Sequence, residues 1–300
     1  MPEITLPRYP YTPQLGWSTT RSETFRGCRR RYFYQYYWKF ERQLPLDRIV
    51  ALRQLSSAAM IIGQATHAVL AAVLKRLLTT REPIDQHRFQ AYVARAIKKE
   101  LNGCSGLMEV YYGEREPIAA ADLQPAVLAC MEPFLASDRY RWLQEQLAAD
   151  PPFLIEPPGF GEARLQELKI YAKVDALLQT STETVILDWK SGRQDPVKHL
   201  RQLVGYAAWV EHTLSVESGR IRCIAAYLQP EYVEVEAQPS KAELDALATE
   251  VAAEIAQMKL LCADPERNSP LEKEAFPLTD NLGFCRHCAF RELCGRSPSP

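Results

Sequence analysis

An α/β fold is predicted by three features of the chain. Apolar residues recur at helical spacing through the N-terminal half, β-rich runs begin where Pro151 and Pro152 close that half, and a helical segment separates the later strand-like runs. With 300 residues, 47% of them hydrophobic, the chain can bury a sizeable core as one large domain or a domain with an insertion. No uninterrupted apolar stretch reaches the roughly 18 residues of a membrane span, and MPEITLPRYPYTP lacks the charged-then-apolar layout of a signal peptide. A soluble, cytoplasmic protein with no membrane partner is the expectation.

The elements follow in order. Residues 18–42 read as one aromatic-rich helix and 56–79 as a long apolar helix. Residues 80–150 read as helical too, with segments 85–101 and 122–149 separated by a Gly/Pro-containing link, 103–117, of the composition of a mobile loop. FLIE (153–156), ELKIYAKVDALLQ (167–179) and TVILDWK (184–190) read as strands, with STET as the turn of a hairpin. Residues 199–214 return to helical spacing, 221–228 and 232–236 are strand-like, and 240–262 form a last helix. The organisation predicted for residues 1–300 is a single domain: N-terminal helices (18–79), a helical insertion (80–150), an α/β core (151–262) and a cysteine-bearing tail (263–300).

The formal net charge is −1, so the chain as a whole lacks the basic footprint of a protein that coats nucleic acid. Locally the balance differs. Between Arg21 and Arg42 stand seven Lys or Arg and two Glu, interleaved with Tyr32, Phe33, Tyr34, Tyr36, Tyr37 and Trp38. Cations for phosphates beside rings for bases suit a single-strand surface, with Arg26, Arg29, Arg30 and Arg31 as its candidate contacts. A helix with a solvated basic face and an aromatic core face accounts for the same pattern.

In TVILDWKSGR, an apolar strand ends in Asp188, Trp189 and Lys190. Residues two apart share a face, so Asp188 and Lys190 project together with Ile186, while Val185, Leu187 and Trp189 point the other way. A hairpin through 180–184 would bring Asp175 beside Asp188, and two carboxylates at one point can hold a hard divalent cation. Phosphodiester hydrolysis needs an activated water and charge neutralisation at phosphorus, which carboxylate-bound Mg²⁺ or Mn²⁺ supplies and an ammonium such as Lys190 assists. Taken alone, D-x-K also suits a surface ion pair at a strand end.

Asp175 followed by Asp188-Trp189-Lys190-Ser191-Gly192 resembles the active-site signature of RecB-type nucleases in the PD-(D/E)XK superfamily. The resemblance extends to Gly63-Gln64-Ala65-Thr66-His67, similar to a helical G-x-x-x-H element whose histidine joins the metal shell, and to Gln202-x-x-x-Tyr206, similar to the Q-x-x-x-Y element after the catalytic lysine. Glu156 is a looser match, as an accessory acid. The resemblance implies a restriction-endonuclease-like core sheet flanked by helices, metal held by His67, Asp175 and Asp188, and catalysis by Asp175, Asp188 and Lys190 supported by Gln202 and Tyr206.

Of eight cysteines, Cys104, Cys130, Cys223 and Cys262 are isolated in apolar surroundings and read as small core residues. Cys285-x2-Cys288-x5-Cys294 lies in the tail and Cys28 near the start; four such thiolates can hold a [4Fe–4S] cluster or a zinc ion, and ligand identity does not choose between them. Such a centre would close a loop of about 260 residues and staple the chain ends together. The one-plus-three arrangement, with CRRRYFYQY around the first cysteine, resembles the iron–sulfur nucleases that include the AddB nuclease domain and CRISPR adaptation nucleases. That resemblance, over 18–294, implies a [4Fe–4S] staple and a Mg²⁺- or Mn²⁺-dependent deoxyribonuclease, a single-strand exonuclease with possible endonuclease action. Repair, recombination and CRISPR adaptation are its settings. No Walker-type motif is present to power unwinding, so the partners expected are DNA with a single-stranded end and a helicase or CRISPR adaptation proteins. The alternatives are a non-catalytic DNA-binding or scaffolding module, for which the full carboxylate–lysine set is superfluous, and a redox sensor, for which the carboxylates are unexplained.

Overall fold

The computed structural model describes residues 4–149, 151–157, 161–165 and 167–296. The single helix expected over 18–42 is broken into α1 (Thr19–Gly27) and α2 (Arg29–Tyr36), followed by a 3₁₀ turn, Trp38–Phe40. Cys28 is the break. Its backbone is extended (φ −161°), its N–H closes α1 on Thr24 O at 3.1 Å, and its Sγ accepts from Arg31 N at 3.4 Å, so the thiol caps the helix that follows.

Helix α3 (Leu46–Arg53) and a short strand β1 (Leu55–Ser56) lead into α4 (Ala58–Leu77), capped by Ser57. Next come α5 (Gln86–Asn102), β2 (Gly106–Leu107), α6 (Met108–Tyr111), α7 (Ala120–Ala136) and α8 (Asp138–Ala148). The link over 103–117 is anchored rather than loose. β2 pairs parallel with β1, Glu109 accepts from Ala58 N at 2.7 Å, and Tyr112 OH donates to Ala289 O at 2.7 Å. Although α4 has the length and hydropathy to cross a membrane, it packs against α5 and α7.

The second half begins with β3 (Phe153–Ile155), β4 (Glu162–Leu165), β5 (Leu168–Tyr171), β6 (Ala176–Gln179) and β7 (Thr184–Lys190). The run 167–179 is thus two strands. β5 pairs with β4 as a separate hairpin, and β6 enters the main sheet after a four-residue step that ends in Asp175. Helix α9 (Pro196–Leu214) crosses to β8 (Ile221–Tyr227), which is followed by β9 (Val233–Ala237), α10 (Lys241–Lys259), β10 (Cys262–Asp264), β11 (Ser269–Pro270) and α11 (Leu282–Arg286).

The main sheet has the order β3-β6-β7-β8-β9; β7 and β8 are parallel, as a helical crossover requires, and the other pairs antiparallel. Because β7 is central, helices cover both of its faces, and alternate residues serve two cores. Ile186 joins the core of α1, α2, α9 and α10, whereas Val185, Leu187 and Trp189 join that of α4, α5, α7 and α8. The expected mixed α/β architecture, a sheet flanked by helices, is observed. Cys130, Cys223 and Cys262 are buried as expected; Cys104 is only half-buried and donates to Leu101 O at 3.3 Å.

One buried acid ties the N-terminal segment to α10. Glu254, 5% exposed, accepts from Trp17 Nε1 at 2.5 Å, Ser22 Oγ at 2.9 Å and Arg26 Nε at 2.5 Å. Burial would raise its carboxyl, but these donors hold it below the ordinary glutamate range. A carboxylate depressed in the folded state contributes stability that is complete above its unfolded pKa and fades as pH falls through the folded value. Glu254→Gln is therefore expected to cost about 2 kcal/mol at pH 7. Thermal melts should show the gap from the wild type starting to narrow as pH falls below about 4 and closing only once pH has passed the depressed folded value, where the wild-type carboxyl is neutral too.

Candidate active site

Asp188 and Lys190 stand at the C-terminal end of β7, and Asp175 immediately precedes β6. The β6–β7 register pairs Ala176 with Leu187, so one further step sets Asp175 opposite Asp188. Both carboxylates are buried, at 7% and 3% exposure. Burial and then the charge of Asp175 push the Asp188 carboxyl above its ordinary range, against the pull of Lys190.

The two carboxylates are met by different partners. Asp175 Oδ2 accepts from Trp189 N at 2.8 Å and its Oδ1 lies 3.0 Å from His67 Nδ1, the side chain that α4 brings from the other core. Asp188 Oδ2 lies 2.5 Å from Lys190 Nζ without hydrogen-bond geometry, and Oδ1 accepts from Tyr206 OH at 3.2 Å. Lys190 Nζ donates to Gln202 Oε1 at 2.7 Å, and Gln202 Nε2 donates to Tyr206 OH at 2.6 Å. A closed ring results, Lys190 to Gln202 to Tyr206 to Asp188 and back. It forms because residues 202 and 206 are one turn apart on α9. Burial and the Asp188 charge raise the Tyr206 phenol, which stays a donor.

Glu156, at the end of β3, has a left-handed backbone (φ 45°), a conformation that costs an ordinary residue about 1–2 kcal/mol. Its Oε1 lies 3.6 Å from His67 Nδ1, and Oε2 lies 2.8 Å from Lys173 Nζ. Although burial favours its neutral form, the neighbouring His67 and Lys173 hold this carboxyl down at about 2. Burial alone would lower the imidazole of His67; Asp175, by charge and hydrogen bond, and then Glu156 outweigh it and raise the group to about 10. Ligand atoms of His67, Glu156 and Asp175 lie within 4.8 Å of one another. Asp188 stands outside that group, turned toward Lys190, whereas the sequence pointed to His67, Asp175 and Asp188.

Glycine one turn before His67 has a steric reason. A Cβ at Gly63 would stand 3.2 Å from Ser191 Oγ, so the missing side chain admits the loop that follows Lys190. Lys173 was missed from sequence; its only signal there is its place two residues before Asp175.

The basic aromatic segment is largely engaged in contacts of its own. Arg26 pairs with Glu250 at 2.9 Å and Glu254, Arg29 lies over the Phe25 ring, and Arg30 donates to Phe276 O at 2.9 Å. The charge of Arg31 acts on the Cys288 thiol. Tyr32, Phe33, Tyr34 and Tyr37 are at most 2% exposed, which corrects the expectation of free rings for bases: the core-face reading holds for those four, while Tyr36 and Trp38 are half-exposed.

The profile of the PD-(D/E)XK nuclease superfamily matches residues 16–295. The chain belongs to the PD-(D/E)XK nuclease superfamily. Comparison with curated proteins finds no match. A solved structure described as the crystal structure of SSO0001 is similar at 19% identity, with a TM-score of 0.31, over 64% of this chain and 80% of that one; at such overlap the likeness is loose.

For this PD-(D/E)XK chain the donor set can be compared with the divalent metal that such nucleases usually use. A histidine nitrogen and two carboxylates converge within 4.8 Å, and the buried Asp188 Oδ2, outside that group, makes no hydrogen bond and has the Lys190 ammonium 2.5 Å away. These residues fit a hard cation of the Mg²⁺ or Mn²⁺ type. Titration calorimetry with Mn²⁺ is expected to show affinity reduced about 10- to 100-fold by His67→Ala and by Glu156→Gln. An unchanged isotherm would return the altered residue to a purely structural role.

Proposed function

We propose that the protein is a metal-dependent deoxyribonuclease that hydrolyses phosphodiester bonds of single-stranded DNA ends, acting as an exonuclease. The observation that carries this reading is the junction, at one sheet end, of the Lys190–Gln202–Tyr206–Asp188 ring with the His67–Glu156–Asp175 group. His67, Glu156 and Asp175 would hold the metal, with Asp188 Oδ2 as the remaining donor. A bound divalent cation would supply neutralisation of phosphate charge and activation of water. Lys190, fixed by Gln202, presents its ammonium where negative charge builds on phosphorus, and its position is set before substrate arrives. Tyr206 keeps Asp188 oriented without competing for its second oxygen.

The cluster cysteines support a second part of the proposal. Burial raises the Cys294 thiol to about 11, with Cys288, Cys28 and Cys285 adding to the rise and Arg30 opposing it. Burial likewise raises Cys288, and Cys28 and Cys285 add to it. Arg30 at Cys294 and Arg31 at Cys288 pull the other way, toward the thiolate form that a metal centre needs. We assign the four cysteines a four-thiolate centre, a [4Fe–4S] cluster with a structural role. The tail also rests on α2 by direct contacts, among them Arg30 Nε donating to Phe276 O at 2.9 Å. Phe276 lies 5.1 Å from the Phe33 ring, and Phe290 lies 5.4 Å from that of Tyr34.

Anaerobically purified protein, incubated with end-labelled single and double strands and Mg²⁺, Mn²⁺ or EDTA, should degrade single strands in a metal-dependent way. Asp188→Ala and Lys190→Ala should each lower cleavage at least about 1,000-fold while leaving DNA binding in place. Binding without cleavage by the wild type would favour a scaffolding module instead. The same preparation is expected to be brown. Any one of Cys28→Ala, Cys285→Ala, Cys288→Ala or Cys294→Ala should remove most of the broad visible absorption, while Cys104→Ala and Cys130→Ala leave it. A colourless, fully active protein with one zinc per chain would overturn the iron–sulfur assignment and spare the nuclease one.

A further inference from the structure

A cavity of about 590 Å³ opens beside the site, walled in part by Gly16, Arg21, Tyr36, Tyr171, Lys173 and Gln202. It adjoins the site through Gln202, which accepts from Lys190 at 2.7 Å, through Tyr206, which donates to Asp188 at 3.2 Å, and through Lys173, which pairs with Glu156 at 2.8 Å. Besides Tyr206, the tyrosines Tyr36 and Tyr171 contribute to its walls, and both are held in place. The Arg21 guanidinium lies 4.5 Å from the Tyr36 ring centroid, and Tyr32 lies 5.0 Å from it. Tyr171 ends β5, and its N–H bonds to Trp17 O at 2.8 Å. Its ring lies across residue 16, where a Cβ would come within 2.3 Å of ring carbon Cε2, so glycine at 16 is what admits the ring there.

The lining chemistry narrows the ligand. Among the described residues that wall the cavity are two cations, Arg21 and Lys173, and no carboxylate. An anionic ligand with a flat apolar portion satisfies both features. The volume falls within the range of about 300–1,000 Å³ typical of small-ligand sites. We propose that this cavity is a subsite for one unpaired nucleotide of the substrate strand, its base against Tyr36 and Tyr171 and its phosphate toward Lys173, next to the phosphate at Lys190. The assignment rests on the nuclease reading and gives it a reason for single strands, because a base inside a duplex must be unpaired and unstacked to enter. Stacking on a ring accepts any base, so the subsite imposes strandedness without sequence preference.

The test is an abasic walk. Single-stranded oligonucleotides carrying one abasic nucleotide at successive positions from the cleaved end are digested by the wild type, Tyr171→Leu and Tyr171→Phe. At one position beside the scissile bond, loss of the base should lower the wild-type kcat/KM about tenfold, chiefly through KM. Tyr171→Leu should show that loss on the intact strand with no further abasic penalty, and Tyr171→Phe, which keeps the ring, should retain the abasic penalty. No position-specific penalty in the wild type would overturn the subsite whatever the variants do. If no DNA is cleaved with Mg²⁺ or Mn²⁺, the nuclease reading fails, and the subsite is judged by binding alone. A thymidine oligonucleotide carrying one 2-aminopurine, titrated in Ca²⁺, should be quenched by the wild type and bind about tenfold more weakly to Tyr171→Leu. Equal affinities would overturn it.

Discussion

Two carboxylates that face each other across neighbouring strands, both shielded from water, repel each other. Asp175 and Asp188 are in that position, and the structure around them consists of the groups that make it tolerable. Lys190 comes from the same strand as Asp188, two residues on, by the period of the strand itself. A backbone N–H from Trp189 takes one oxygen of Asp175, and His67 takes the other. Tyr206 takes an oxygen of Asp188. These side chains arrive from both layers of the sandwich, α4 on one face and α9 on the other, so docking of each helix and assembly of the site are one event.

The double burial of β7 makes that event sensitive to register. All its residues but Lys190 are buried, with Ile186 committed to one core and Val185, Leu187 and Trp189 to the other. A one-residue slip would exchange the faces and carry Asp188 away from Tyr206. Edge-to-face packing of Phe134 on Trp189, at 5.1 Å, fixes the same strand from the α7 side. The chain ends are held with comparable redundancy. Glu254 fastens Trp17, Ser22 and Arg26 to α10, and Phe276 and Phe290 seat the tail on α2. A metal cluster at the four cysteines would therefore add to contacts that already bring the ends together.

Much of this was legible because it follows from periodicity. Alternation along TVILDWK gave the two faces of β7, the turn at STET gave the hairpin that opposes the carboxylates, and the spacing of Gln202 and Tyr206 gave their shared helix face. What was illegible depends on single backbone choices. Nothing in helical spacing marks Cys28 as an extended residue, since a thiol is not an ordinary N-cap signal, and so one helix was expected where two form. Glu156 reaches His67 through a left-handed φ that an acid residue does not announce. The run 167–179 carries β character throughout, but its step at 172–175 sends the two halves to different sheets. Aromatic residues between arginines were ambiguous in the same way: burial, not composition, decides that Tyr32 and Tyr34 are core.

The charge balance of the site connects its resting arrangement to the proposed chemistry. Glu156, Asp175 and Asp188 face Lys173, Lys190 and a His67 whose surroundings favour the imidazolium. With the basic helices engaged by Glu250, Glu254 and backbone carbonyls, the chain has a net charge of −1 and little long-range field to draw a polyanion in. A phosphate must therefore be accommodated by local cations. On the proposed reading the proton on His67 occupies the place in the charge balance that a divalent ion takes, and ligation requires its loss because imidazole binds metal only when neutral. The exchange would add a net positive charge beside Asp175 and Glu156 while Lys190 stays tied to Gln202, so the site would become more receptive to a phosphate without moving the lysine that meets it.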